Sequence, residues 1–303
     1  MEQVSINSRQ LSLEVLNYGA RIHRLRFRTA NKAWEDVISG LEPPEAYLKD
    51  PFSRGACVGR YAGRLSGGVL NIDGQQYPIS NNNGVTLHGG ARGYGNRYWE
   101  IASVDKQVNE AEIRLTYNSK HLEEGFPGNL EARVSYRLEE NRLRIRHEAR
   151  TDRPTVVNLT NHAYFKLDQQ PLISHYQLQL HADNYLETDE RLLPSGRLLP
   201  VSGTAFDFRQ ARALEETKLD TPFALDPASK TAVEVFSRIS GIRMRVYTNQ
   251  PGVVVFTPEG FPAICFETQN FPDAPNFEHF PSALLRPGEL YVNESQFVFD
   301  QPG

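Results

Sequence analysis

Apolar residues recur at every second position through most of this chain, and that period constrains the fold more than any other feature. Leu11, Leu13 and Val15 begin it, followed by Ile113, Leu115 and Tyr117, then Ala132, Val134, Tyr136 and Leu138. Leu143, Ile145 and His147 continue it, as do Tyr176, Leu178 and Leu180, then Ile242, Met244, Val246 and Thr248, and finally Phe297 and Phe299. Side chains of a strand alternate between its faces, so each set predicts a half-buried strand. Turn pairs separate them: Asp73-Gly74, Asn83-Gly84, Pro127-Gly128, Ser195-Gly196, Pro251-Gly252 and Pro287-Gly288. Helical periods are scarce, and only Pro44 to Lys49 and Gln210 to Glu216 suggest short helices. The expectation is an all-β fold, a large antiparallel β-sandwich forming one domain over residues 1–303.

Composition narrows the function. The chain has 303 residues, 39% hydrophobic and 23% charged, with a net charge of -4. This mild balance gives no footprint for nucleic acid or for an anionic membrane, so neither is expected as a partner. No apolar run approaches a membrane span, and Met1 to Ser5 does not read as a signal peptide. Cys57 and Cys265 lie in apolar stretches without metal-type spacing, which suggests buried free thiols and a cytoplasmic setting.

Against this background one residue is out of place. In Ala263-Ile264-Cys265-Phe266-Glu267-Thr268-Gln269, alternation puts Ala263, Cys265, Glu267 and Gln269 on one face. Glu267 stands where a core residue is expected, and a carboxylate is rarely buried without a partner or a task. Val157 to Leu167, read as a strand, carries Asn158, Thr160, His162, Tyr164 and Lys166 on one face. Gly59 to Arg64, if extended, puts Arg60 and Arg64 on one face. His88 precedes Gly89-Gly90, where the backbone can turn tightly beside a ligand.

A buried glutamate can serve as a base and a histidine as a proton donor. Arginines and amides hold hydroxyls or carboxylates. Other chemistries find less support. No His-Glu-x-x-His pattern or close Cys pair occurs, and His175 and His181 would stand roughly 20 Å apart on a strand. There is no Gly-x-Ser-x-Gly elbow or phosphate loop. A glycosidase pair would need a second acid near Glu267, for which Asp220 and Asp207 stay open and Asp273 is close in sequence.

Several short motifs, in a shared order, resemble the aldose 1-epimerases, or galactose mutarotases. They include Leu16-Asn17-Tyr18-Gly19-Ala20, Gly59-Arg60 through Arg64, and Leu87-His88-Gly89-Gly90 with Trp99. Asn161-His162-Ala163-Tyr164-Phe165, Leu193-Pro194-Ser195-Gly196 and Gly203-Thr204-Ala205-Phe206-Asp207-Phe208 follow. Glu267-Thr268-Gln269-Asn270-Phe271-Pro272-Asp273-Ala274-Pro275-Asn276 and Leu285-Arg286-Pro287-Gly288-Glu289 complete the match.

The resemblance implies a β-supersandwich that interconverts the α and β anomers of free aldohexoses such as galactose and glucose, without metal or organic cofactor. Glu267 resembles the general base and His162 the general acid. Arg64, His88 and Asp220 resemble substrate-binding residues, and Gln269 and Asn161 join them. A monosaccharide is the implied partner, with the chain acting as a monomer or homodimer. The pattern departs from the family at Gly63, where Asn is usual and Asn161 is the candidate stand-in, and at Lys166, also usually Asn. Rival readings are a hexose-6-phosphate epimerase using Arg54, Arg60, Arg92 or Arg97, a non-catalytic sugar-binding protein, and a glycosidase.

Overall fold

The structure is a computed structural model that describes residues 1–107 and 110–302. Three antiparallel sheets dominate it. The largest has nine strands, in the order Glu100–Lys106, Glu110–Ser119, Leu130–Glu139, Arg142–Thr151, Tyr291–Asp300, Arg243–Thr248, Val233–Phe236, Gln177–Leu180 and Arg212–Ala213. A six-stranded sheet runs Tyr164–Phe165, Ile264–Gln269, Gly252–Phe256, Asp220–Ala224, Asn184–Thr188 and Pro194–Pro200. The first four strands, Gln3–Asn7, Leu11–Leu16, Arg21–Arg28 and Trp34–Asp36, make the third.

The period-two pattern explains the layering. Leu130–Glu139 pairs along its whole length with both of its neighbours. Ala132, Val134, Tyr136 and Leu138 on one of its faces are wholly buried, while Glu131 and Arg133 on the other are exposed. Each fully buried large apolar side chain contributes about 1.5–3 kcal/mol. Such faces from all three sheets merge into one apolar core running from Ile6 to Phe299. Asp73 and Gly74 close a hairpin at φ 51° and 80°, the doubly left-handed turn that matches strand twist.

Four local expectations need correction. Pro44–Lys49 is a short 3₁₀ turn, but Gln210 to Glu216 is not helical. There, Arg212–Ala213 pairs with Gln177–Leu180, and the Arg212 guanidinium lies 3.9 Å above the Phe208 ring, holding the backbone extended. Ser195-Gly196 lies inside Pro194–Pro200 instead of at a turn. Val157 to Leu167 is not one strand. Thr155–Val156, Thr160–Asn161 and Tyr164–Phe165 pair respectively with Leu284–Leu285, Cys57–Val58 and Ile264–Gln269. Nor is Gly59 to Arg64 a continuous strand, since Gly63 turns it at φ 76°.

The six-stranded sheet positions the site. Ile264, Phe266, Val253, Val255 and Phe223 point from it into the core. Period two then puts Glu267, Gln269, Val254, Phe256, Asp220 and Pro222 on its other face, where they line one cleft.

Candidate active site

That sheet face is the cleft floor. Phe52, Gly63, Arg64, Leu87, His88 and His162 contribute to the surrounding lining, around about 740 Å³ of empty space that is partly open to solvent. Six sequence-derived candidates from distant parts of the chain, Arg64, His88, His162, Asp220, Glu267 and Gln269, meet there.

Glu267 lies opposite Val254 in the sheet and is 3% exposed. Its Oε2 has no hydrogen-bond partner. Burial, reinforced by the nearby Asp220 charge and opposed by Arg64, pushes its carboxyl up to about 8. His162 Nε2 is 3.4 Å from Glu267 Oε1. The His162 backbone is clamped, its N–H donating to Ala56 O and its carbonyl accepting from Gly55 N–H. Its ring lies flat on Tyr164, with centroids 5.0 Å apart and planes 19° from parallel. Burial lowers the imidazole to about 4, with a backbone hydrogen bond opposing the shift and the Arg21 charge adding to it.

His88 is held by a reciprocal pair of bonds to Gly63. Its N–H donates to Gly63 O at 3.0 Å, and Gly63 N–H donates to its Nδ1 at 3.2 Å. A neutral ring bonded this way carries its proton on Nε2. Burial, then the charges of His162 and Arg64, hold it well below the ordinary histidine range. Its ring meets that of His162 edge-on at 5.3 Å. Arg64 starts the strand Arg64–Ser66 and reaches Asp220 with Nη2 to Oδ2 at 3.5 Å. Burial raises the Asp220 carboxyl, and Arg64 limits the rise. The Oε1 of Gln269, 1% exposed, has no partner.

Asn161 is the exception among the candidates. Its Nδ2 donates to Gly55 O and Tyr136 OH, and it is not part of the cleft lining. The short pairing of Thr160–Asn161 with Cys57–Val58 turns it away from the side that His162 occupies. It therefore does not substitute for a side chain at Gly63. A Cβ at Gly63 would stand 3.1 Å from Gln269 Nε2 and 3.2 Å from Pro272 Cβ. Lys166 borders a separate depression with His23 and Glu42.

The candidate phosphate ligands do not line the cleft either. Arg60 spends its guanidinium on Pro127 O, Gly128 O and Ser119 Oγ. Arg97 pairs with Glu123 at 2.6 Å, and Arg54 lies 3.7 Å over the Phe261 ring. Asp207 is bound by Arg209, and Asp273 accepts from Ser66 N–H and Asn276 Nδ2. Trp99 is a core residue whose Nε1 donates to Tyr94 O.

Sequence reasoning missed the apolar lining, notably Phe52, Pro222, Val254 and Phe256. For the last three, the available signal was strand parity with Asp220 and Glu267. It also missed that His88, His162 and Glu267 bring one possible metal-ligand atom each to within 4.8 Å of one another. These residues come from three segments, so no linear spacing reveals them. Gly63 N–H occupies His88 Nδ1, so Nε2 of the neutral ring offers the cleft a proton, whereas a metal needs a lone pair.

Solved structures share this architecture. One is an aldose epimerase homologue from C. elegans, 30% identical, with a TM-score of 0.93 and coverage of 100% of this chain and 99% of that one. Another is a galactose 1-epimerase from Lactobacillus acidophilus, 28% identical, with a TM-score of 0.88 and coverage of 99% and 95%. The fold is thus that of the galactose mutarotase-like sandwiches. The family model for aldose 1-epimerase matches residues 2–298. A Sus scrofa galactose mutarotase is 34% identical over 99% of this chain and 94% of its own length. An Escherichia coli aldose 1-epimerase is 31% identical over 97% and 93%. The chain belongs to the aldose 1-epimerase family and is an isomerase. No helix among the described residues is long and apolar enough to cross a membrane.

Proposed function

We propose that this cleft interconverts the anomers of free aldohexoses, with Glu267 as base and His162 as acid. The carrying observation is their 3.4 Å approach with opposite shifts, the carboxyl up to about 8 and the imidazole down to about 4. The reactive state holds Glu267 as carboxylate and His162 as imidazolium. Glu267 takes the proton of the anomeric hydroxyl while His162 protonates the ring oxygen. The C1–O5 bond breaks and C1 becomes an aldehyde. Rotation about C1–C2 presents its other face, and both proton transfers reverse on closure. Ring opening moves one proton onto Glu267 and one off His162, and closure moves both back, so the site's net charge is constant throughout. Burial disfavours the ionised pair, which makes Glu267 a stronger base and His162 a stronger acid.

His88 Nε2–H, Arg64, Asp220 and the Gln269 amide hold sugar oxygens, and Tyr164 and Phe256 cover C–H surface. Among the cleft-lining residues Arg64 is the one arginine or lysine, and it already faces Asp220. That balance favours a neutral sugar over a phosphorylated one. Relatives named galactose mutarotase support galactose as a substrate, and we include glucose. The continuous core supports a single catalytic domain. Two buried free thiols support a cytoplasmic setting, and size-exclusion chromatography with light scattering decides between monomer and homodimer.

The test is polarimetry or a coupled dehydrogenase assay on freshly dissolved α-D-galactose, α-D-glucose and glucose 6-phosphate. Glu267→Gln is expected to lose roughly 10²–10⁴-fold, the usual scale of one positioned acid or base. Wild-type turnover by that variant would sink the assignment.

A further inference from the structure

We infer that Cys265 is a positioning residue for His162, its thiol engaging Nδ1 so that Nε2 stays turned to the sugar. The inference rests on the acid role proposed for His162. Cys265 is fully buried on the cleft strand, two residues before Glu267. Its Sγ lies 3.5 Å from His162 Nδ1, while Nε2 on the far side of the ring is 3.4 Å from Glu267 Oε1. Same-face neighbours on a strand stand roughly 6.6 Å apart. One imidazole fits across that interval, so a single strand holds both ring nitrogens through residues i and i+2.

The other contacts are made by ring faces and edges. Tyr164 stacks on the imidazole, and His88 and Phe256 meet it edge-on. These contacts limit the tilt of the ring but do not distinguish Nδ1 from Nε2. The thiol does. When Nδ1 carries a proton, as in the imidazolium or after Nε2 has delivered its own, the sulfur lone pairs accept it. When the proton is on Nε2 alone, the S–H turns and donates to Nδ1. A carboxylate in this place would also orient the ring but would stabilise the imidazolium. The neutral thiol orients it without that charge and leaves His162 a strong acid.

Two substitutions separate hydrogen bonding from packing. Cys265→Val fills the volume without a polar atom, and Cys265→Ser keeps a group that both donates and accepts. Turnover of fresh α-D-glucose and the ¹⁵N resonances of the His162 ring are the readouts. In Cys265→Val, kcat is expected to fall about tenfold with KM within about twofold, on the scale of one hydrogen bond. Its Nδ1 resonance should move towards that of a nitrogen without a partner. Cys265→Ser should keep kcat within about threefold of wild type. Wild-type kcat in Cys265→Val, or equal losses in both variants, overturns the inference. If Cys265→Val does not fold, the wild-type spectrum decides: a hydrogen-bonded Nδ1 signal supports the inference and an unbonded one refutes it. The parent reading is tested separately by His162→Gln, whose full activity would remove the acid whatever Cys265 does.

Discussion

His162 Nε2 lies 3.4 Å from Glu267 Oε1, and burial moves the two groups' proton affinities towards each other's usual territory. The glutamate, raised to about 8, holds its proton more tightly than the histidine, lowered to about 4. Between those values the pair keeps one exchangeable proton in all, and the ionised and neutral arrangements differ only by its transfer.

A bell-shaped pH dependence of kcat/KM follows, with limbs near 4 and 8 belonging to the pair as a unit. Below the lower limb both groups are protonated and the base is lost. Above the upper limb both are deprotonated and the acid is lost. Initial rates of mutarotation, corrected for the buffer-catalysed reaction, measure this. A single-limbed profile centred near pH 6.5 would contradict it.

Glu267 should destabilise the fold as pH rises. Its folded value is about 8 against the ordinary glutamate value of 4.5, so between these pH values the folded chain binds the extra proton. Stability is then fullest below the unfolded value and declines until pH passes the folded one. Glu267→Gln removes this dependence and should raise Tm, with a gain that grows from pH 5 to pH 8 towards a few kcal/mol. Thermal melts of both proteins across that range measure the difference, and a constant or shrinking gain would refute the explanation.

Arg64 and Asp220 should act mainly through binding. Arg64→Met removes the cation from a half-buried pair and leaves Asp220 without its partner. A loss of roughly 10–100-fold in kcat/KM, carried largely by KM, is expected for a charged hydrogen bond to a sugar hydroxyl. A variant affected only in kcat would move Arg64 from binding to chemistry.

His147 supplies a control outside the cleft. It is 3% exposed with no partner for either ring nitrogen, and burial lowers it to about 3. The unfolded chain takes up this proton below about pH 6.5 and the folded chain does not, so stability is lost as pH falls through that window. His147→Leu should be more resistant to urea at pH 4.5 than wild type, with a smaller difference at pH 7.5 and unchanged kcat. Equal midpoint shifts at both pH values would point to packing instead.

The site was legible to the extent that parity could mark it. Ile264 and Phe266 against Glu267 and Gln269 is a pattern any strand imposes, so the misplaced carboxylate stood out in the sequence. Parity also placed Asn161 on the face opposite His162, where the structure has it; its binding role came from the resemblance alone. What fails is continuity: alternation along Val157 to Leu167 assumes one strand, but Thr160–Asn161 and Tyr164–Phe165 pair with two different segments. Extension from Gly59 to Arg64 would likewise put Arg60 and Arg64 on one face, but the turn at Gly63 sends one guanidinium to Pro127 O and the other to the cleft.

By itself the sequence determined the strand faces, because a side chain's alternation is a local property of extended backbone. It also determined the Asp73-Gly74 turn, which encodes its own geometry, though not Ser195-Gly196, which lies in a strand, and it marked Glu267 as anomalous. Only tertiary structure decided what Glu267 meets. His88, His162, Arg64 and Asp220 reach it through pairings between segments far apart in the chain. The proton affinities of the site were also a tertiary matter, because desolvation depends on what surrounds a group and not on its neighbours in sequence.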